Sequence, residues 1–181
     1  MNQKNKILVT GANGQLGKAL QAECSLSNFE FVFTDIETLD LTSKESILEN
    51  IEIHSPNIII NCSAYTAVDK AEDDIQAATL INEYAVALLS DICYKKSIFL
   101  IHISTDYVFD GHHFQPYTEE DTTNPLSVYG HTKLLGEQVM IQSGCNGLII
   151  RTSWLYSTTG ANFVKTIMKY ASERESLNVV F

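Results

Sequence analysis

Apolar residues gather into short unbroken runs, separated by longer stretches in which they recur every third or fourth position. The runs fall at 6–10, 29–34, 57–61, 97–103, 147–151 and 177–181. A strand with one wet face alternates apolar and polar residues, whereas a strand covered on both faces does not, so these runs predict a parallel sheet. Between them, 69–94 carries Ala71, Ile75, Ala78, Ile81, Ala85, Leu88, Leu89 and Ile92 at helical spacing. Thr42-x-x-Glu45 reads as a capping box ahead of Ile47, Leu48 and Ile51. Another helix is expected over 126–143, ended by Gly144 or Gly147. About six strands joined by helical crossovers predict an α/β fold, a doubly wound parallel sheet with helices on both faces and no internal repeat.

The first run leads directly into Gly11-Ala12-Asn13-Gly14-Gln15-Leu16-Gly17 and then helix-compatible Lys18-Ala-Leu-Gln-Ala-Glu23. Strand, glycine-rich turn and helix in that order suit a dinucleotide. Gly11 would permit the tight turn, Gly14 the approach of a pyrophosphate and Gly17 the packing of helix on strand, with the phosphates on free N–H groups at the positive helix end. The spacing is Gly-x-x-Gly-x-x-Gly rather than Gly-x-Gly-x-x-Gly.

Tyr129 and Lys133 stand four residues apart, downstream of Thr105. On a helix such residues share a face, so a phenol and an ammonium would share a small volume. A neighbouring cation favours the phenolate and would lower a phenol that titrates near ~10 toward the working range of an acid catalyst. With a dinucleotide beside it, this pair suits carbonyl reduction. A solvated surface pair is the bland alternative.

Composition narrows the setting. With 181 residues, 45% of them hydrophobic, the chain can bury one sizeable core. No segment is apolar for long enough to span a bilayer, and residues 1–6 run into the first strand rather than into a signal-peptide core, so the cytoplasm is the expected compartment. A net charge of −10 without a basic run argues against nucleic acid as a partner. Cys24, Cys62, Cys93 and Cys145 form no Cys-x-x-Cys pair; Cys62, near the expected cleft, is the one candidate for a reactive thiol. His102, His112, His113 and His131 lack the spacing of a metal site, and none is expected.

Longer stretches carry a resemblance. Ser104-Thr-Asp-Tyr-Val-Phe-Asp-Gly111, Asn124-Pro-Leu-Ser-Val-Tyr-Gly-His-Thr-Lys133, Arg151-Thr-Ser-Trp-Leu-Tyr156 and Asn61-Cys-Ser-Ala-Tyr-Thr-Ala-Val-Asp-Lys-Ala-Glu72 resemble the dTDP-4-dehydrorhamnose reductases, extended short-chain dehydrogenase/reductases, and the likeness runs through the chain from Ile7. It implies reduction by NADPH or NADH of the 4-keto group of dTDP-4-dehydro-L-rhamnose to dTDP-L-rhamnose, for surface polysaccharide. In that scheme Tyr129 protonates the developing alkoxide, Lys133 holds the nicotinamide ribose and Thr105 hydrogen-bonds the carbonyl oxygen.

Binding roles follow by position. Gln15 and Leu16 match residues whose backbone amides meet the pyrophosphate, and Asp40 and Leu41 a pair bordering the adenine, although Asp40 could instead be a turn residue. Ser63, Ala64 and Tyr65 match a cofactor-lining segment. Thr66 and Val68 match substrate contacts, as does Trp154, for which a core anchor is the alternative. Asp35, ending the second strand, would accept from a ribose 2′-hydroxyl and so favour NADH, while Lys18 nearby keeps NADPH open. Some family members bind Mg²⁺ through glutamates, but Ala19 occupies one such position.

The family also carries a C-terminal substrate-binding lobe for which 1–181 leaves no room, so the chain is expected to be the cofactor-binding Rossmann domain of a truncated reductase, able to bind the dinucleotide with little turnover of its own. A homodimer is among the assemblies the resemblance allows. Three other readings share these motifs: a nucleotide-sugar epimerase or dehydratase, a non-catalytic subunit resembling the methionine adenosyltransferase beta subunit, and a structural Rossmann module. No glutamate follows Asp106, which favours reduction over dehydration; retention of Thr105, Tyr129 and Lys133 disfavours the non-catalytic subunit, and failure to bind any nicotinamide nucleotide would mark the structural module.

Overall fold

A computed structural model describes residues 5–26, 28–160 and 162–178. Five parallel strands form one sheet: β1 (Lys6–Thr10), β2 (Glu30–Phe33), β3 (Ile58–Asn61), β4 (Phe99–Thr105) and β5 (Gly147–Thr152). Their spatial order is β2-β1-β3-β4-β5. From β1 the chain crosses outward to β2, then returns past β1 to lay down β3 on the other side. In open sheets of this kind that reversal opens a crevice at the strands' carboxyl ends, which is where a ligand settles.

Among the described residues the sheet has five strands. The last run falls on 177–181, where Leu177 and Asn178 carry no strand pairing and residues 179–181 lie outside the described ones. Coverage is also less even than the apolar runs implied. β1 and β4 are largely buried, but at the edge of the sheet β5 leaves Leu148 50% and Ile150 37% exposed.

The helices are α1 (Gln15–Glu23), α2 (Lys44–His54), α3 (Val68–Ala71), α4 (Ile75–Thr79), α5 (Ala85–Lys96), α6 (Val128–Gln142) and α7 (Phe163–Glu173). Leu8, Ile59 and Leu100 sit in register on neighbouring strands and meet Ile47 and Ile51 of α2, Leu89 and Ile92 of α5 and Met140 of α6 in one core. At Gly147 a Cβ would lie 2.2 Å from the Leu100 carbonyl oxygen and 2.6 Å from Met140, so β5 joins the sheet there only with glycine.

Two local expectations are corrected. The cap of α2 is Ser43, whose hydroxyl accepts from Ser46 N–H; Thr42 instead donates its hydroxyl to Asp40, leaving it unavailable for the expected capping box. The helical stretch 69–94 is broken at Glu72-Asp73-Asp74. Glu72 there accepts from Val128 N–H at 2.8 Å, bonding the break to the start of α6. A π-helical turn, Leu80–Tyr84, joins α4 to α5. Helix α6 begins at Val128, capped by the Ser127 hydroxyl, and Gly144 follows its end at φ +69°, as the glycine there predicted. Among the described residues no helix is long and apolar enough to cross a membrane.

Candidate active site

The carboxyl ends of all five strands open onto one cleft of about 980 Å³. Every residue singled out from sequence for catalysis or binding lines it, from Gly11 through Asp35, Ser63 and Thr105 to Trp154.

The glycine loop forms one wall. Gly11 turns the chain at φ +64°, and a Cβ there would come within 2.8 Å of Ser63 N. At Gly17 a Cβ would stand 2.5 Å from the Ala12 Cα and the Gly11 carbonyl oxygen, so α1 packs against the Gly11-Ala12 turn at glycine contact distance. Gly14 caps α1 without a side chain, which leaves the first-turn amides, those of Gln15 and Leu16 among them, free of side-chain capping at the positive end of the helix. Asp35 closes this wall, accepting Asn13 N–H at 2.7 Å and Ile36 N–H at 2.9 Å. Asp40 accepts from the Thr42 amide and hydroxyl, so it serves the turn while also lining the cleft with Leu41.

The opposite wall carries the reactive candidates. Thr105 ends β4, and Tyr129 enters the same cleft from the first turn of α6. Close approach of these elements depends on Gly130, where a Cβ would fall 2.2 Å from the Tyr107 carbonyl oxygen. Tyr107 packs edge-on against Tyr129 at 5.6 Å. One turn on, Lys133 is 1% exposed and donates to the Ile103 carbonyl at 2.7 Å.

The titration behaviour differs from the sequence expectation. Burial raises Tyr129, the Thr105 hydrogen bond pulls it down, and Asp106 and Tyr107 add to the rise. The ammonium does not lower it, because Lys133 reaches past the phenol to β4. Burial lowers Lys133 to about 8, opposed by the Glu137 carboxylate. Cys62 lines the cleft as expected, but burial pushes its thiol up to about 12, which makes it an inert one.

Trp154 is 70% exposed, stacks edge-on against Phe163 at 4.8 Å and holds φ +50°, so it is no core anchor. Ser63, Ala64, Tyr65, Thr66 and Val68 follow β3 along the rim. Asn82 of the π turn fixes this segment, accepting Tyr65 N–H and donating to Tyr65 C=O at 2.9 and 3.1 Å. His112 and His113 lie on an exposed loop beside Asp110 and Tyr117, away from the cleft. Among the described residues no three His, Cys, Asp or Glu side chains converge as a metal site would require.

Several contributors escaped the sequence reading. Asn162 donates to Gln15 Oε1 at 3.0 Å, tying the residue that caps α7 to the glycine loop. Glu137, 2% exposed, receives Arg151 in a two-pronged pair and the Ser104 hydroxyl at 2.5 Å. Asn61 and His102 form a buried polar row beneath Lys133. A polar residue closing an apolar strand, as in Ile58-Ile-Ile-Asn61, was the available signal.

Residues 5–181 match the family described as the RmlD substrate binding domain. A dTDP-4-dehydrorhamnose reductase of Aggregatibacter actinomycetemcomitans is 40% identical over 97% of this chain and 60% of its own length. The Escherichia coli K12 protein of that name is 42% identical over 96% of this chain and 59% of itself. Among solved structures, the Bacillus anthracis reductase in complex with NADP superposes with TM-score 0.91 at 38% identity, over 96% of this chain and 62% of that one. The chain thus spans about 60% of the length of the curated relatives it matches. With a matching sheet in solved structures and a family match from residue 5 to residue 181, the chain belongs to the RmlD family.

Proposed function

We propose that this chain is the cofactor-binding domain, over 1–181, of a reductase that converts dTDP-4-dehydro-L-rhamnose to dTDP-L-rhamnose with NADPH or NADH in the cytoplasm. The single observation that carries the reading is the placing of Thr105, Tyr129 and Lys133 in one cleft at the carboxyl edge of β4, together with a glycine loop in which Gly11 and Gly17 leave no space for side chains.

That loop fits a dinucleotide. The space a Cβ would fill at Gly11 and Gly17 stays closed to side chains, and Gly14 caps α1 without covering its amides. Gln15 and Leu16 would meet the pyrophosphate, Asp35 the adenosine ribose, and Asp40 and Leu41 the adenine; Ser63, Ala64 and Tyr65 would line the path toward Lys133. When bound, the nicotinamide supplies the hydride.

The chain's own groups handle the oxygen and its proton. Thr105 can donate a hydrogen bond to the substrate oxygen as negative charge develops on it. Tyr129, protonated well above neutral pH, gives its phenolic proton to the same oxygen, and the Thr105 hydroxyl then steadies the phenolate. Lys133, held by the Ile103 carbonyl, lies at the foot of the cleft, where its side-chain nitrogen can donate to a ribose hydroxyl. Trp154, exposed at the rim with Thr66 and Val68 opposite, offers a flat apolar surface to the deoxysugar.

The test is nicotinamide fluorescence on titration with NADH and NADPH, then addition of the 4-keto sugar nucleotide, with Tyr129→Phe alongside. Both proteins should bind dinucleotide, and hydride transfer should fall about 10²- to 10⁴-fold in the variant, whether measured on this chain or on a longer one that includes it. Equal transfer by parent and variant, or no dinucleotide binding by either, would overturn the reading.

A further inference from the structure

Beneath the cleft, four polar groups form a directional row. Ser63 N–H donates to Asn61 Oδ1 at 3.1 Å, and the Thr10 hydroxyl donates to the same oxygen at 2.8 Å. A backbone N–H can only donate, so it fixes which end of the Asn61 amide is oxygen. The amide nitrogen is then the atom 3.1 Å from His102 Nδ1. An NH₂ group only donates, so Nδ1 is the accepting nitrogen of the ring.

The other ring nitrogen follows. His102 is fully buried, and burial holds it well below its ordinary value, so the ring is neutral. A neutral imidazole carries one proton; with Nδ1 accepting, that proton sits on Nε2. Nε2 lies 3.4 Å from Lys133 Nζ. An ammonium has no lone pair and would face another N–H, whereas a neutral amine accepts it and still donates to the Ile103 carbonyl. All four links are satisfied only when Lys133 is an amine.

We propose that His102 is a positioning residue for Lys133: Asn61 fixes its tautomer, and the Nε2–H it presents favours the uncharged amine over the ammonium. The other groups facing Lys133 are few. On α6 itself stand Tyr129 and Glu137, and Glu137 is taken up by Arg151 of β5 and by Ser104. Asp106, at the end of β4, acts on Tyr129 and is held by the Thr105 hydroxyl. Resting on the reductase reading, the consequence is a lysine that releases its proton readily.

The test requires neither cofactor nor turnover, so its failure is separate from failure of that reading. Uniform ¹⁵N-histidine labelling reports each ring's tautomer, and ¹⁵N-lysine labelling reports the Lys133 side chain across pH. His102 is the buried one of five histidines and is expected as the neutral Nε2–H form throughout the range in which the fold persists. Asn61→Leu removes the donor at Nδ1 without adding charge. The ring is then released to the Nδ1–H form, Nε2 accepts from the ammonium, and Lys133 should bind its proton roughly tenfold more tightly, the worth of one hydrogen bond to a charged group. An Nδ1–H ring in the unaltered chain overturns the proposal by itself, even if the variant does not fold. So does an unchanged Lys133 midpoint in a folded Asn61→Leu chain.

Discussion

Replacing Arg151 by leucine leaves Glu137 alone in the interior. In the parent, Arg151 grips that carboxylate through Nε and Nη2 at 3.0 and 2.6 Å, lies over the Phe109 ring at 5.0 Å and reaches the Glu119 carbonyl. The Glu137 side chain is 2% exposed, so almost no water can replace the guanidinium. Breaking a buried pair by removing one partner costs about 3–5 kcal/mol. For a chain of this size each kcal/mol moves Tm by about 2–4 °C, so the variant should melt roughly 6–20 °C lower. A second change, Glu137→Gln, removes the stranded charge while keeping an acceptor for Ser104, and should restore at least half of the loss. Thermal melts of parent, single and double variants, with urea titrations for the free energies, supply the comparison. A single variant within about 1 kcal/mol of the parent would mean that the carboxylate is hydrated after all, which refutes the reasoning; so would a double variant no more stable than the single one.

Three further outcomes are expected. Lys133, lowered to about 8 from an ordinary 10.5, binds a proton more weakly folded than unfolded; stability attributable to it therefore rises as pH climbs from about 8 toward 10.5, by at most about 3 kcal/mol. The urea midpoint of the parent relative to Lys133→Met should show that rise, and an unchanged difference between pH 7 and 10 would count against it. Gly17→Ala should cost about 1–3 kcal/mol through the 2.5 Å clash with Ala12 and weaken dinucleotide binding, checked by chemical denaturation and nicotinamide fluorescence; an unaffected protein would show the helix is free to shift. Trp154→Ala should cost only about 0.5–1.5 kcal/mol, the worth of its contact with Phe163, because the ring is mostly in solvent. A loss of 3 kcal/mol or more in the melt would make it a core residue.

How much of this was legible in the sequence depended on the range of the interactions involved. The glycine loop and the Tyr129/Lys133 pair are local patterns, and short-range geometry puts them where periodicity said. The Ser43 cap and the break at Glu72 were misread because side chains there choose among competing backbone partners, and Glu72 chooses one at Val128, far along the chain. The direction of the Tyr129 shift was inverted for a similar reason: spacing on a helix gives proximity, but the Ile103 carbonyl, on another element, decides where the ammonium goes. Asn61, His102, Glu137 and Arg151 come from four different elements and meet only in the folded state. The exposure of β5 was hidden too, since an apolar run does not reveal whether a covering layer is present in the same stretch of chain.

The π turn at Leu80–Tyr84 sets a strict rule on chain length. It is one residue wider per hydrogen-bonded ring than the α-helical turns on either side. Asn82 inside it is 1% exposed, and besides holding Tyr65 it donates to the Thr132 hydroxyl, while its backbone carbonyl abuts Gly136. Losing a single residue there would regularise the helix, yet rotate everything downstream by about 100°. Leu89, Ile92 and Cys93 would swing off the core, or Asn82 would swing off Tyr65; the segment cannot keep both. Length variation among natural or engineered versions of this domain should therefore gather in the exposed loop around His112 and His113, and a one-residue deletion in 80–84 should be as damaging as a buried charge, though it removes no catalytic group.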